Sequence, residues 1–234
     1  VGIYPVLILL GGIVAADTTS GPQILISEPI VVCSMLGMLF GFPETGILIG
    51  IVYQLLWLGY LPLGGTVFTD SNMAAFVSTA SLFAASDMFN LSGAAMKAAF
   101  IPAMLFSVIV GYTGLRLHVY EQHINGRRND ALLSRLESGK LPSITRLHLS
   151  GIVTAFLKGA FMTAVFIPAG TLLCGMVSYL PDSFFEGMSN ASMMITGTVT
   201  ASAILFYRTK GKNKSLIFGA IGGFAWIMLI LKTG

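Results

Sequence analysis

The sequence predicts an all-α fold, a polytopic bundle of membrane helices with broken and re-entrant members. Three observations predict it. Of the 234 residues, 55% are hydrophobic and 10% charged, and the mean hydropathy is +0.83. Apolar runs recur along the whole length, and those of the first half are interrupted by acids, prolines and paired glycines. A soluble domain carries roughly 25% charged residues, so this chain is too poor in charge to dress a water-facing surface. In a bilayer, where backbone polar groups must be satisfied within the segment, apolar runs of about 20 residues fold as helices.

The first run, Ile3 to Ala16, stops at a cluster of turn formers from Asp17 to Pro22. No Lys or Arg precedes it, so it is expected to stay as a membrane segment rather than serve as a cleaved leader. A second run extends from Ile24 to Phe42, with Glu28-Pro29 near its start and Pro43-Glu44-Thr45 at its close. The third, Gly46 to Gly59, gives roughly 21 Å of helix. That is too short for a core of about 30 Å, and a re-entrant element is expected. Tyr60 to Asp70 is a Gly/Pro-rich loop, followed by runs at Met73 to Phe89 and Ala94 to Leu115.

The composition then changes. Arg116, Arg127, Arg128, Arg135, Lys140 and Arg146 face only Glu121, Asp130 and Glu137 between Arg116 and His148. With Leu132, Leu133 and Leu136 as an apolar stripe, this is expected to be a solvent-side loop, helical in part. Apolar runs resume at Leu149 to Leu180, interrupted at Pro168, and at Ser192 to Phe206. A basic turn at Arg208 to Lys214 leads to a last run at Leu216 to Leu231. No linker divides the chain, so residues 1–234 are read as one membrane domain.

Charge orients it. No basic residue occurs before Lys97, and the segments at 116–148 and 208–214 hold most of the rest, which places both in the cytoplasm by the positive-inside rule. The net charge of +3 follows this topology and says nothing about nucleic acid, which is not expected as a partner; the lipid bilayer is. Glycines at small-xxx-small spacing (Gly37 with Gly41, Gly46 with Gly50, Gly219 with Gly223) are read as close helix packing. Cys33 and Cys174 lie in apolar runs without metal or redox spacing and are read as small buried hydrophobes. No phosphate-binding, zinc-protease or nucleophile-elbow signature occurs, so no catalytic residue, metal or cofactor is assigned. His118, His123 and His148 are read as solvated or headgroup-facing.

The informative residues are polar groups at membrane depth: Asp17, Gln23, Glu28, Gln54, Asp70 and Asn72, with Trp57 among the aromatics. Amides and carboxylates exchange hydrogen bonds with adjacent hydroxyls, and an aromatic face covers C–H surface, a combination that suits a sugar. Each also has a plainer reading. Asp17 fits a cap, Trp57 an interface anchor, Asp70 the N-cap of the helix near Met73, and Gln54 a satisfied core amide. Glu28 requires protonation, a partner or a watery cavity. An ion-pair partner would have to come from Lys97, Lys158 or another subunit, although snorkelling to an interface is the simpler expectation for the two lysines.

The stretch TGILIGIVYQLLWLGYLPLGGTVFTD, Thr45 to Asp70, resembles the membrane IIC subunit of the mannose/fructose/sorbose family of bacterial sugar phosphotransferase systems. That family carries a TG-x3-G-x3-[QE] pattern, then Leu-Gly, a small-residue loop and an Asp before a helix. Upstream, Glu28 to Gly41 resembles its RP-x7-G-x3-G segment, and Pro102 and Leu147-His148 follow in order. The resemblance implies a permease domain of the bacterial inner membrane, working with a IID membrane subunit in an oligomer of IIC–IID pairs. It implies phosphate relay by cytoplasmic IIA and IIB (or fused IIAB) proteins, and a hexose-type sugar. The chain itself would then be no enzyme. Gln54 and Asp70 match the family's polar positions; Asn72, Gln23 and Asp17 join them by proximity.

Three departures stand out: Glu28 where the family has Arg, Thr69 where a Pro precedes the Asp, and a short tail. The reversed charge at 28 keeps two alternatives open. One is a non-transporting regulatory or assembly homologue. The other is an ion-coupled secondary transporter using Glu28 or Asp70.

Overall fold

In the computed structural model, which describes residues 2–57, 69–139 and 143–209, the described residues form helices and the turns and loops that join them. The elements are α1 (Tyr4–Thr19), α2 (Pro29–Phe40), α3 (Pro43–Trp57), α4 (Ser71–Phe89), α5 (Gly93–Glu137), α6 (Ile144–Gly175) with a 3-10 turn at Met176–Tyr179, and α7 (Asp182–Thr209). The Gly/Pro-rich stretch at 58–68, the basic turn beyond 209 and the last apolar run lie outside the described residues. Among the described residues, α5 and the helix of Ile144–Tyr179 are long and apolar enough to cross a membrane.

Helix α4 is the axis of the bundle. Every residue from Met73 to Ser86 is buried, so the helix has no outer face. Its alanines and serines let α1, α2, α5 and α6 approach on all sides. Chain reversal at its far end uses Asn90, whose left-handed backbone (φ 54°) closes the last turn.

Helices α2 and α3 form a short antiparallel hairpin. Gly41, left-handed at φ 81°, ends α2, and Phe42 leads directly into Pro43 at the start of α3. A Cβ on Gly37 would lie 2.8 Å from the Gly46 Cα, and one on Gly50 would lie 2.9 Å from the Ile30 Cα. The predicted packing role therefore holds for Gly37, Gly46 and Gly50. Gly41 is instead a helix cap, and Gly219 and Gly223 lie outside the described residues. The second run is shorter than its hydropathy predicts: α2 has 12 residues, about 18 Å, because the stretch before Pro29 is consumed by an irregular loop. Phe42 at the hairpin tip stacks on Phe83 at 5.5 Å. The tip thus stops six residues, about 9 Å, short of the end of α4, so α3 packs as one arm of a short hairpin with α2 and not as a separate element.

The segment predicted as a basic loop is mostly helix. Helix α5 runs 45 residues without a break through Pro102, about 68 Å, and α6 runs 32 residues through Pro168. The reason is a buried stripe on α5 that continues past the apolar run: Ala103, Ser107, Val110, Gly111, Gly114 and then Glu121. Arg128 fastens the two helices there, donating from Nη1 to Ser150 O at 3.0 Å and to Thr154 Oγ1 at 2.8 Å. Helix α6 also meets α1 at a glycine contact. A Cβ on Gly159 would collide with the Gly11 carbonyl and with Ala15, so Gly159→Leu is expected to separate α1 from α6 and abolish accumulation of folded protein. Detergent-solubilised yield by size exclusion checks it.

Candidate functional site

Four helix ends meet at one level of the bundle: the C-termini of α1 and α3 and the N-termini of α2 and α4. The N-termini carry unsatisfied N–H groups and the positive ends of their helix dipoles, so the local chemistry favours carboxylates and carbonyl oxygens. Most of the residues predicted as a site are found there.

Between α1 and α2 the chain crosses a strained loop in which Gln23 (φ 51°) and Leu25 (φ 67°) are left-handed without being glycine. Asp17 holds it. Its Oδ1 accepts from Ile24 N at 2.8 Å and its Oδ2 from Ser27 N at 3.0 Å, and the residue is 5% exposed. The capping reading of Asp17 is therefore met, and its position at the end of α1 places it within the seam as well. Asp17→Ala removes two charge-assisted bonds, each contributing about 1.5–3 kcal/mol net. It is expected to destabilise the protein by at least about 2 kcal/mol and to open residues 20–28 to protease, read by limited proteolysis.

Glu28 finds its partner in Gln54. The Gln54 Nε2 donates to Glu28 Oε2 at 2.8 Å, while Gln54 Oε1 accepts from Ile30 N at 3.2 Å. One amide thus pairs the carboxylate and caps α2. The expected cation partners are elsewhere: Lys97 is exposed and Lys158 is engaged with other acids. Trp57, half-buried, ends α3 one turn beyond Gln54.

Asn72 donates from Nδ2 to Thr18 Oγ1 at 3.2 Å, joining the start of α4 to the end of α1. Asp70 is the N-cap of α4, its Oδ1 accepting from Met73 N at 3.1 Å, as the capping reading requires. Its other oxygen faces a cation: Lys158 Nζ lies 3.5 Å from Asp70 Oδ2 and 3.3 Å from Glu121 Oε2, with side-chain exposures of 5%, 7% and 3%. His118 Nδ1 lies 3.3 Å from the same Glu121 oxygen. Beside Asp70, the buried Thr69 hydroxyl has no hydrogen-bond partner among the described residues.

The polar side chains therefore form one continuous seam, by hydrogen bond or chain adjacency. It runs Gln54, Glu28, Ser27, Asp17, Thr18, Asn72, Ser71, Asp70, Lys158, Glu121 and His118. Gln23 lies off it, exposed, on the outer side of the loop. The residues not foreseen from the sequence are Glu121 and His118, assigned to solvent, and the partnership of Lys158. The signal for Glu121 was its register, seven residues beyond Gly114 on the small-residue stripe of α5.

Close approach makes the seam possible. Asp70 N donates to Gly111 O at 3.0 Å, and a Cβ on Gly114 would lie 2.5 Å from the Asp70 Cβ. Gly114→Ala is expected to push α5 off Asp70, at a cost of about 1–3 kcal/mol for the overpacking, and to impair any function of the seam while the protein still folds. Thermal stability measured beside uptake tests this.

A family model described as the sorbose-specific IIC component of the phosphotransferase system matches residues 3–231. The mannose-specific EIIC component of Escherichia coli (strain K12) is 24% identical over 170 residues, 72% of this chain and 60% of that protein. For the sorbose-specific EIIC component of Lacticaseibacillus casei the identity is 24% over 171 residues, 72% of this chain and 57% of that protein. The aligned stretch is thus under two thirds of the length of these relatives. Among solved structures, the mannose transporter ManYZ with microcin E492, determined by cryo-EM, matches with a TM-score of 0.56 at 20% identity. That match covers 99% of this chain and 96% of that one, a likeness of fold.

Proposed function

This chain belongs to the family of sorbose-specific IIC components of sugar phosphotransferase systems, and from that premise we propose that it forms the membrane pathway and part of the binding site for a hexose-type sugar. The observation that carries the reading is the seam itself. Amides, carboxylates and hydroxyls at four helix ends can share the hydroxyls of one solute, with Trp57 to cover its C–H surface. Gln54, Asp70 and Asn72 are the proposed sugar contacts, Asp17 and Glu28 hold the loop and hairpin that present them, and Gln23 acts from the outer side of the loop. Lys158 and Glu121 fix the carboxylate of Asp70.

The depth of the seam supports coupling to cytoplasmic chemistry. Asp70 lies level with Gly111 and Gly114, which is about 27–32 Å along α5 from its start at Gly93. With the α4–α5 turn at one membrane boundary, the seam sits near the other. That boundary faces the arginine-bearing end of α5, which is cytoplasmic by the positive-inside rule. A sugar released there meets a cytoplasmic phosphocarrier at once. The phosphoryl chemistry then belongs to IIA and IIB or a fused IIAB, this chain works with a IID subunit in an oligomer of such pairs, and the assembly resides in the bacterial inner membrane.

The pairing of Glu28 with Gln54 supports a transporting protein over a non-transporting homologue, since the reversed charge has a local partner. Membranes carrying the chain and its IID subunit are expected to phosphorylate a hexose only when the cytoplasmic phosphocarriers and phosphoenolpyruvate are supplied. Uptake that persists without the relay and collapses with the proton gradient would overturn the proposal in favour of ion coupling.

A further inference from the structure

A second polar feature lies off the seam, on its basic side. A cleft of about 570 Å³ opens between the end of α1, the extension of α5 and the start of α6. Thr19, Ser20 and Gln23 form one wall, Asn125 and Asn129 a second, and His148 stands on the third beside the aliphatic faces of Ile144 and Leu147. Asn125 and Asn129 share a helix face at i, i+4, as do Ile144 and His148, so each wall is set by helix register and not by loop conformation. Behind them Arg128 Nη1 donates to Asn125 Oδ1 at 3.1 Å, which fixes that amide and leaves its NH2 group as a donor.

The cleft adjoins the seam. Thr19 follows directly on Asp17 and Thr18, and Asn125 to Asn129 lie four to eight residues beyond Glu121 on α5, about 6–12 Å further toward the basic end. Its size falls within the range of about 300–1,000 Å³ usual for small-molecule sites. Among the described residues, the lining carries hydroxyls, three amides, one imidazole and aliphatic surface, but no Lys or Arg. A phosphate group would go without a fixed cation there, whereas a neutral polyol finds donors, acceptors and C–H cover. Resting on the transport reading above, we propose that this cleft is a separate exit subsite. It holds the unphosphorylated sugar on the cytoplasmic side, between its release from the seam and its phosphorylation.

The test is ligand protection of an introduced thiol. Asn129→Cys is exposed and off the buried stripe, and the native Cys33 and Cys174 are buried, so background labelling is low. Inside-out vesicles carrying the full chain with its membrane partner are treated with an impermeant maleimide, with and without mannose or sorbose, whichever they phosphorylate. Labelling at Asn129→Cys, and at His148→Cys on the facing wall, is expected to slow at least fivefold with the sugar. Asp130→Cys, outside the lining, serves as control and is expected to be unaffected. Unchanged labelling at both cleft positions in vesicles that do phosphorylate the sugar overturns the exit subsite and leaves the transport reading standing. Equal slowing at Asp130→Cys, or protection by the sugar phosphate but not the sugar, overturns it too. Vesicles that phosphorylate neither sugar with the relay present overturn the transport reading itself.

Discussion

Lys158→Met is expected to abolish the folded protein. Among the described residues, Lys158 is the single Lys or Arg between two buried carboxylates, Asp70 at 3.5 Å and Glu121 at 3.3 Å, and methionine removes that counter-charge from both. Removing one partner of a buried ion pair costs about 3–5 kcal/mol, a large share of the roughly 5–15 kcal/mol that holds a domain folded. The three charges sum to −1, and a protonated His118 beside Glu121 would neutralise them. Adding Asp70→Asn and Glu121→Gln to Lys158→Met discharges the cluster and is expected to restore accumulation, because the amides retain hydrogen-bonding capacity where the lone carboxylates could not stay ionised. Uptake is expected to stay absent in that triple variant, since position 70 then offers no carboxylate. Wild-type stability of the single variant, measured by thermal unfolding in detergent, would contradict the buried cluster.

Gln54→Glu is expected to be the second severe lesion, and a reversible one. Glu28 Oε2 lies 2.8 Å from Gln54 Nε2, so a second carboxylate there sets two like charges about 3 Å apart, which forces one to take up a proton. The resemblance to the mannose/fructose/sorbose pattern implies Arg at position 28 and Glu or Gln at position 54. Glu28 beside Gln54 reads as the same contact with its polarity exchanged: an amide donates where an arginine would. Glu28→Arg alone faces the Gln54 amide and the positive end of α2 and is expected to be mildly harmful. The double variant Glu28→Arg, Gln54→Glu forms an ion pair in the same place and is expected to recover most of the uptake lost by Gln54→Glu. A double-mutant cycle on uptake and stability reads the coupling, and losses that merely add would show that the two side chains act independently.

Much of this fold is written in the chain. The membrane class, the break at Asp17 to Pro22, the start of α4 and the close packing at Gly37, Gly46 and Gly50 follow from hydropathy, turn chemistry and small-residue spacing. What the chain concealed has physical causes. The α2 run looked long enough to span because Ile24, Leu25 and Ile26 are apolar, yet they lie in a loop held by a side chain 7–10 residues upstream, a non-local bond that periodicity does not register. Charge density marked 116–148 as solvated, and averaging hid the one face on which Glu121 is buried. Lys158 was visible as a lysine in an apolar run. Its partners were not, because they stand 37 and 88 positions earlier in sequence and meet it only through packing of α4, α5 and α6. Of the proposed contacts, Gln54, Asp70 and Asn72 were legible as polar groups in apolar surroundings. Their joining into one seam depends on where four helices end.

The claim on which the account rests is that the sugar binds at this seam, and locating the sugar tests it most directly. A cryo-EM structure of the full chain with its membrane partner, determined with a sugar that the membranes phosphorylate, is expected to show a pyranose- or furanose-sized density within hydrogen-bond reach of Asn72 and at least one of Gln54 and Asp70. Sugar density in the membrane pathway that touches none of these three residues, other than in the cleft lined by Asn125, Asn129 and His148, would contradict it.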